Sequence, residues 1–314
     1  MSPEIVVLSG PTASGKTALG VALCRALGGE VVSADSMQIY RRMNIGTAKP
    51  TAAEMQGVPH HMLDVAEPWE NYSVARYVEE ASARIDEIRA RNRLPVVVGG
   101  TGLYIDSLLS GRTFAGGPVD PALRQELNER YDEIGGAGLL GELRKVDPDR
   151  AAKLHAADKK RIVRAMEVYI LTGRTITQHD AETRALPPRY HAVRIALDFA
   201  DRADLYARID RRVDAMFDAG LLDEVRALLD EGVSAACTAM QAIGYKEAVG
   251  AVRGECSAAE AAARIRQETR RYAKRQLTWL RGGGDYYWIR FQKAPDIAAA
   301  CQLSTDFLHS HGIK

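Results

Sequence analysis

The 314-residue chain has no run of about 18 apolar residues, so no membrane-spanning helix is expected. Its first residues enter a strand pattern at once, without the charged, apolar and small-residue order of a secretory signal. Cysteine is scarce. Cys24, Cys237, Cys256 and Cys301 lie far apart and no C-x-x-C occurs, which argues against a zinc site or a disulfide framework. A reducing compartment, the cytoplasm, is the expectation. Charge of one sign is also missing. Lys and Arg number 42 against 41 Asp and Glu, a net charge of +1, so any polyanion partner must be met by local clustering. No internal repeat or low-complexity tract interrupts the chain. What remains, 46% hydrophobic and 26% charged residues, suits one large or two ordinary globular domains with a real core.

The most informative stretch is Gly10-Pro11-Thr12-Ala13-Ser14-Gly15-Lys16-Thr17, which fits G-x-x-x-x-G-K-[ST]. The pattern has physical reasons. The glycines let the backbone approach an anion, and successive N–H groups point inward as a nest for phosphate oxygens. Lys16 adds a full charge, and the Thr17 hydroxyl is placed to hold a Mg²⁺. The context agrees on both sides. Residues 4–8 form a short apolar run read as a buried strand. Residues 16–27 read as a helix with Leu19, Leu23, Ala26 and Leu27 on one face, and its N-terminal dipole favours an anion. The loop alone does not choose among ATP, GTP and an organic diphosphate.

Further strands are expected at residues 30–34, 94–98, 192–198 and 286–291, the last at an edge. Helices are expected at 72–91, with Ser73 as cap, and at 103–109. Asp35 follows the second strand. In an open parallel sheet this puts it on the same edge as the phosphate loop, as a general base, a metal-site helper or a turn cap. The third strand ends in Gly99 and Gly100 rather than in the acid that often holds Mg²⁺ in phosphoryl-transfer enzymes. Thr101 next to them is a donor to phosphate or ribose, or a helix cap. His60 and His61 are adjacent, point apart and lack a third ligand, which favours packing or hydrogen bonding over metal. Lys49 reads either as site lining or as surface.

Gly116, Gly117 and Pro118 mark a turn-rich break. From residue 121 to 183 the pattern is helical, with candidates at 124–134, 139–146 and 160–171. The order predicts an α/β protein, a P-loop NTPase-like parallel sheet flanked by helices, with an all-helical insertion: residues 1–118 and 191–314 as the core, 119–190 as the insertion. Helices at 202–219 and 221–231 follow, the first carrying Arg208, Arg211 and Arg212. In a long helix over 258–281, Arg266, Arg270, Lys274 and Arg281 share one arc, with Arg264, Arg271 and Arg275 beside it. Only Glu268 offsets them locally, and the density favours a polyanion partner.

Together these segments resemble the tRNA dimethylallyltransferase, or tRNA isopentenyltransferase, family. The residues that carry the resemblance are the loop 10–17 and Ser33-Ala34-Asp35-Ser36-Met37-Gln38-Ile39-Tyr40. Met43-Asn44-Ile45-Gly46-Thr47-Ala48-Lys49-Pro50 and Val98-Gly99-Gly100-Thr101-Gly102-Leu103-Tyr104 follow. Arg164-Ala165-Met166-Glu167-Val168, Gly244-Tyr245 and Lys274-Arg275-Gln276-Leu277-Thr278-Trp279-Leu280-Arg281 complete the family order. The chain departs from the pattern at Ala156-Ala157-Asp158-Lys159-Lys160-Arg161, where a Pro-Asn-Asp segment is expected.

The resemblance implies transfer of a dimethylallyl group from dimethylallyl diphosphate to N6 of the adenosine 3′ to the anticodon, position 37, in tRNA. Diphosphate leaves, Mg²⁺ neutralises its charge, and no ATP is consumed. It implies catalytic parts for Asp35 and Thr101. The diphosphate-binding set is residues 10–17 with Arg208 or Arg212, and Thr17 is the metal-side residue. tRNA contacts are implied for Asp35, Ser36, Met37, Gln38, Thr101, Arg124, Lys274 and Arg275, with the insertion on the anticodon stem-loop. A monomer is expected. The main rival for the same loop is a small-molecule or nucleotide kinase, which predicts ATP turnover. A non-catalytic RNA-binding protein and an enzyme prenylating free adenine nucleotides are further rivals, separated by whether Asp35 and the insertion are needed.

Overall fold

The computed structural model describes residues 4–111 and 120–313. The expected turn-rich break at Gly116, Gly117 and Pro118, and with it the expected boundary at 118/119, lies outside the described residues. The chain divides into two compact units, Met1–Leu109 with Tyr190–Lys314, and Ser110–Arg189.

The first unit is built on six strands: β1 (Ile5–Ser9), β2 (Gly29–Ala34), β3 (His60–His61), β4 (Leu94–Gly99), β5 (Ala192–Phe199) and β6 (Tyr287–Phe291). They form one sheet in the order β3-β2-β4-β1-β5-β6, and every pair is parallel. A sheet of this kind is covered on both faces, which is why β1, β2 and β4 carry no exposed residue and centre on runs of Val, Ile and Leu. The expected strands are all present. β3 was not legible, because two residues carry no period.

Helices α1 (Lys16–Leu27), α2 (Ala52–Met55), α3 (Val74–Ala90) and α4 (Gly102–Ser110) alternate with the first four strands. α3 is capped by Ser73 and buries Tyr77, Val78, Ala81, Ile85 and Ile88, a spacing that keeps one face on the sheet. The core is aliphatic and continuous, from Val6, Leu8 and Leu19 to Ile195, Leu277 and Phe291.

The second unit contains, among the described residues, only helices: α5 (Pro121–Val146), α6 (Pro148–Ala151), α7 (Lys159–Thr172) and α8 (Ile176–Arg184). Asp120 caps α5 and Pro121 opens it. Gly135, at φ 73° and ψ 160°, breaks α5 in two, which explains the two separate helical patterns of the sequence. Leu127, Leu139, Leu143, Ile162, Val163 and Met166 form this unit's own core.

The chain then returns through β5 to α9 (Arg202–Asp218), α10 (Leu221–Asp230), α11 (Tyr245–Val252), α12 (Ala258–Gly282) and α13 (Ile297–Ser310). No described helix is long and apolar enough to cross a membrane.

Candidate active site

Register fixes the site. Ser9 of β1 and Ala34 of β2 both pair with Gly99 of β4, so three strands end at one level. The next residues, Gly10, Asp35 and Gly100, therefore leave the sheet side by side at its carboxyl edge, where ligands of such sheets sit.

The phosphate loop leads into α1 at Gly15, whose φ of 94° is left-handed. Lys16 has no anion. Its Nζ donates to the carbonyls of Gly10 at 2.9 Å and Pro11 at 2.7 Å. Burial, then the nearby Arg212, pushes its ammonium down to about 7, against the opposing pull of Asp35. The sequence left open whether Arg208 or Arg212 meets the loop, and the structure brings both. Arg208 Nε donates to Ala13 O at 2.8 Å, and Arg212 lies 3.4 Å from Thr12 Oγ1. Burial and then Arg208 depress Arg212 as well. Among the described residues none of these three cations has a carboxylate in ion-pair contact. Ser14 Oγ is buried without a hydrogen-bond partner among the described residues. The loop, Lys16, Thr17, Arg208 and Arg212 line a polar cavity of about 420 Å³. A half-buried cluster of three cations on one loop, without carboxylate partners among the described residues, is an arrangement completed by a polyanion.

Asp35 both caps and stays available. Its Oδ1 accepts from the N–H groups of Met37 at 2.9 Å and Gln38 at 3.4 Å, while Oδ2 has no partner among the described residues. Thr101 sits against it. Its Oγ1 accepts from Ser36 N at 3.1 Å, and its own N–H donates to Ala34 O at 3.2 Å. Gln38 spends both amide hydrogens on the carbonyls of Thr47 and Ala48. Asp35, Ser36, Met37 and Arg212 also line a second cavity of about 420 Å³, apolar through Val213, Met216, Ile243 and Ile265, with Arg275 at its wall. Asp35 and Arg212 belong to both cavities.

Other candidates fall elsewhere. Lys49 is held by Tyr40 O, Asn44 and Asp64, so it props the 44–49 loop. His60 bonds Val58 O and His61 bonds Glu30, and no group of three or more metal-ligating side chains occurs among the described residues. A strand-end acid does exist next to the loop, Asp198 of β5, but it is buried and bonded to Arg281 and Phe199 N. Arg124 lies in the helical unit. There it forms a two-pronged bond with Glu167, a carboxylate of 0% exposure that Arg164 also bonds.

The expected basic face of α12 needs correction. Arg266 pairs with Asp214 and Arg270 with Asp210, both on α9, while Arg271 pairs with Glu268 and Arg281 with Asp198. Apart from Glu268 of α12 itself, the neutralising acids come from α9 and β5, out of reach of a count along α12. Among the described residues Arg264, Lys274 and Arg275 remain without an ion-pair partner. Two functional features were missed. Glu224 of α10 accepts from the N–H groups of Asn44, Ile45 and Gly46 and from Tyr245 OH, latching the loop that orients Gln38. Gln276 points inward from α12; a polar residue between Ala273 and Leu277 on the packed face was its only signal.

Comparison with known proteins agrees with this site. A family model described as IPP transferase matches residues 38–283, and one described as isopentenyl transferase matches residues 3–70. The chain belongs to the IPP transferase family. It is 45% identical over 286 residues to a tRNA dimethylallyltransferase of Acetivibrio thermocellus, covering 91% of each chain. It is 46% identical over 301 residues to that of Geobacillus kaustophilus, covering 95% of this chain and 94% of the other. Among solved structures it resembles the full-length tRNA isopentenylpyrophosphate transferase of Bacillus halodurans, with a TM-score of 0.72 and 40% identity over 98% of this chain and 97% of that one. A eukaryotic dimethylallyltransferase acting on tRNA superposes with a TM-score of 0.80 at 28% identity, covering 99% of this chain and 80% of that one. Family membership makes the phosphate loop part of a prenyltransferase.

Proposed function

We infer that the chain transfers a dimethylallyl group from dimethylallyl diphosphate to N6 of the adenosine 3′ to the anticodon, position 37, of tRNA, and releases diphosphate. The observation that carries this reading is the cluster of Lys16, Arg208 and Arg212, without a carboxylate partner, one strand-end turn away from a free Asp35 oxygen. The polar cavity takes the diphosphate and the apolar one the prenyl chain and the base.

An exocyclic adenine amine is a weak nucleophile, because its lone pair is delocalised into the ring. Asp35 Oδ2 takes the N6 proton as the bond from N6 to C1 of the prenyl group forms and the C1–O bond breaks. The negative charge left on the diphosphate falls on the loop N–H groups, Lys16, Arg208 and Arg212, which are in place before the reaction begins. Thr101 holds the turn that carries Asp35 and Ser36. The residues fit Mg²⁺ bound with the diphosphate. Mg²⁺ keeps several waters and takes substrate oxygens rather than an all-protein cage, so the Thr17 hydroxyl suffices as the protein's part. Bound there, it supplies further neutralisation of the leaving group.

The target base must leave its stack, at a cost of a few kcal/mol. Ser36, Met37 and Gln38 are the residues beside Asp35 that receive it. Arg124 and Arg164, held by Glu167 with their guanidinium groups partly exposed, support phosphate contacts from the helical unit to the anticodon stem. Separated free thiols support a cytoplasmic protein.

The test is mass spectrometry of tRNA nucleosides after incubation with dimethylallyl diphosphate and Mg²⁺. A prenylated adenosine beside the anticodon is expected, and ATP turnover without it would return the loop to a kinase. Asp35→Ala is expected to lose roughly 10²- to 10⁴-fold in single-turnover transfer while tRNA binding survives. Near-normal transfer in that variant would remove Asp35 from the role of base.

A further inference from the structure

We propose that Gln276 is a positioning residue that sets the spacing between the leaving-group loop and the Gly100–Thr101 turn. This rests on the transfer reaction inferred above. Gln276 lies on the inner face of α12 and is only 6% exposed. Its Oε1 accepts from Thr12 N–H at 2.8 Å, within the phosphate loop, and its Nε2 donates to Gly100 O at 3.0 Å, at the end of β4. One amide thus ties together the two turns that leave β1 and β4 side by side. No other side chain of this length offers an acceptor and a donor together at neutral pH in so fixed a fork.

The neighbours of Gln276 make the tie rigid. Tyr272, one helical turn before it, faces Thr101 and Gln276, and burial pushes its phenol up to about 12, so it stays neutral. Trp279, three residues after Gln276, packs on Gly102 and donates from Nε1 to Asp106 at 2.8 Å. Both glycines are required by these approaches. A Cβ on Gly100 would come within 2.2 Å of Gln276 Nε2, and one on Gly102 within 2.4 Å of the Trp279 ring. Residues 272, 276 and 279 lie on one helical stripe, so α12 holds the Gly100–Gly102 turn as a unit. An amide that only filled a packing gap would need neither bond. This one meets two backbone groups that belong to different parts of the reaction.

A shift of about 1 Å between reacting groups costs on the order of 10²-fold in rate, because alignment rather than binding is lost. The consequence is specific to turnover. Gln276→Leu removes both bonds. Gln276→Glu keeps the shape and the acceptor for Thr12 N–H but sets a carboxylate oxygen against Gly100 O. Both variants are expected to lose about 10- to 100-fold in kcat, with KM for an anticodon stem-loop within about threefold of the wild-type chain in both; KM for dimethylallyl diphosphate stays within about threefold in Gln276→Leu, whereas the carboxylate of Gln276→Glu, set against the phosphate loop, raises it as well. Thermal unfolding of each variant is recorded alongside, and Gln276→Glu, the isosteric change, carries the test if the leucine variant does not fold. A kcat within about threefold of wild type in a folded variant, or a loss confined to either KM, overturns the proposal. Wild-type protein is the control in every arm. If it fails to prenylate the stem-loop, the inferred reaction falls; if it succeeds and the variants match it, only the role of Gln276 falls.

Discussion

Lys16 offers the sharpest test of what the phosphate loop holds. In the free protein its ammonium is half-buried, bonds only backbone carbonyls and sits near Arg212. Burial first and Arg212 second bring it down to about 7. A diphosphate in the cavity sets negative charge against it and favours the protonated form again. Binding must therefore draw in a proton wherever the free lysine is neutral. Near pH 8 about one-tenth of the free side chains are protonated, so uptake at this residue approaches ~0.9 proton per site; near pH 6 it falls to ~0.1. Affinity should weaken by up to about tenfold per pH unit above 7, until the lysine of the complex also titrates. The sign for folding is distinct. A lysine depressed in the folded state costs stability fully below about 7, and that cost fades as pH rises towards the ordinary 10.5. The assay is calorimetric titration of inorganic diphosphate at fixed Mg²⁺, in buffers of different ionisation enthalpy. Lys16→Arg stays charged throughout, so subtracting it removes the diphosphate's own protons. A difference between the two proteins below ~0.2 proton near pH 8, or net release, would refute the argument.

The loop latch gives a stability prediction. A Cβ on Gly46 would lie 2.4 Å from the Tyr245 ring, so Gly46→Ala should cost about 1–3 kcal/mol in urea unfolding, and a loss under ~0.5 kcal/mol would mean the ring yields. Glu224→Gln should cost a similar ~1–3 kcal/mol, and its effect should not add to that of Tyr245→Phe, since the carboxylate and the phenol form one bonded group. In the helical unit, burial alone would raise the Glu167 carboxyl, yet bonds from Arg124 and then Arg164 hold it below the ordinary range. Its stabilisation is present above the ordinary carboxylate range and lost as pH falls below it; Glu167→Gln should cost about 3–5 kcal/mol at neutral pH and flatten that acid loss, and equal acid sensitivity in both proteins would count against the pairing. On α12, alanine at Arg264, Lys274 or Arg275 should each lower the salt slope of tRNA affinity by up to roughly 0.7–0.9, whereas alanine at Arg266 should change it little; equal slopes would restore the whole basic face.

What could be read from the sequence was local. The loop 10–17 with its flanking strand and helix was legible because spacing, glycine placement and apolar period all fall within thirty residues. Asp35 was legible because strand direction fixes which edge its residue reaches. The Glu224 latch was not, since its carboxylate lies some 180 residues from the amides it caps. The ion pairs of α12 were hidden for the same reason, and a helical wheel therefore overstated its free charge. Gln276 stood within a quoted motif, but nothing along the chain says that Thr12 and Gly100 flank it.

The strand order accounts for the glycines that end β4. β4 lies between β2, which delivers Asp35, and β1, which delivers the phosphate loop. Neighbouring strands are about 4.8 Å apart, so the base and the leaving group start roughly 10 Å from each other. That span is crossed by the acceptor nitrogen, C1 and the diphosphate, and on the inferred reaction the carbon in transfer passes over the end of β4. A carboxylate there would fill the path and repel the diphosphate, which is the opposite of what the same position does when it holds a metal beside a nucleotide. A Cβ on Gly99 would meet Ala34 O at 2.2 Å and one on Gly100 Gln276 Nε2 at 2.2 Å, so close packing already holds both positions to glycine, and Asp198, the acid one strand further on, is bonded to Arg281. On the inferred reaction the phosphate loop holds a leaving group with no acid beside it at the end of β4, and the substitution that tests this is an acid at position 100. Gly100→Asp should abolish transfer and weaken diphosphate binding together, whereas loss of transfer with intact diphosphate binding would mean that crowding by Gln276 alone, not charge in the path, is the cause.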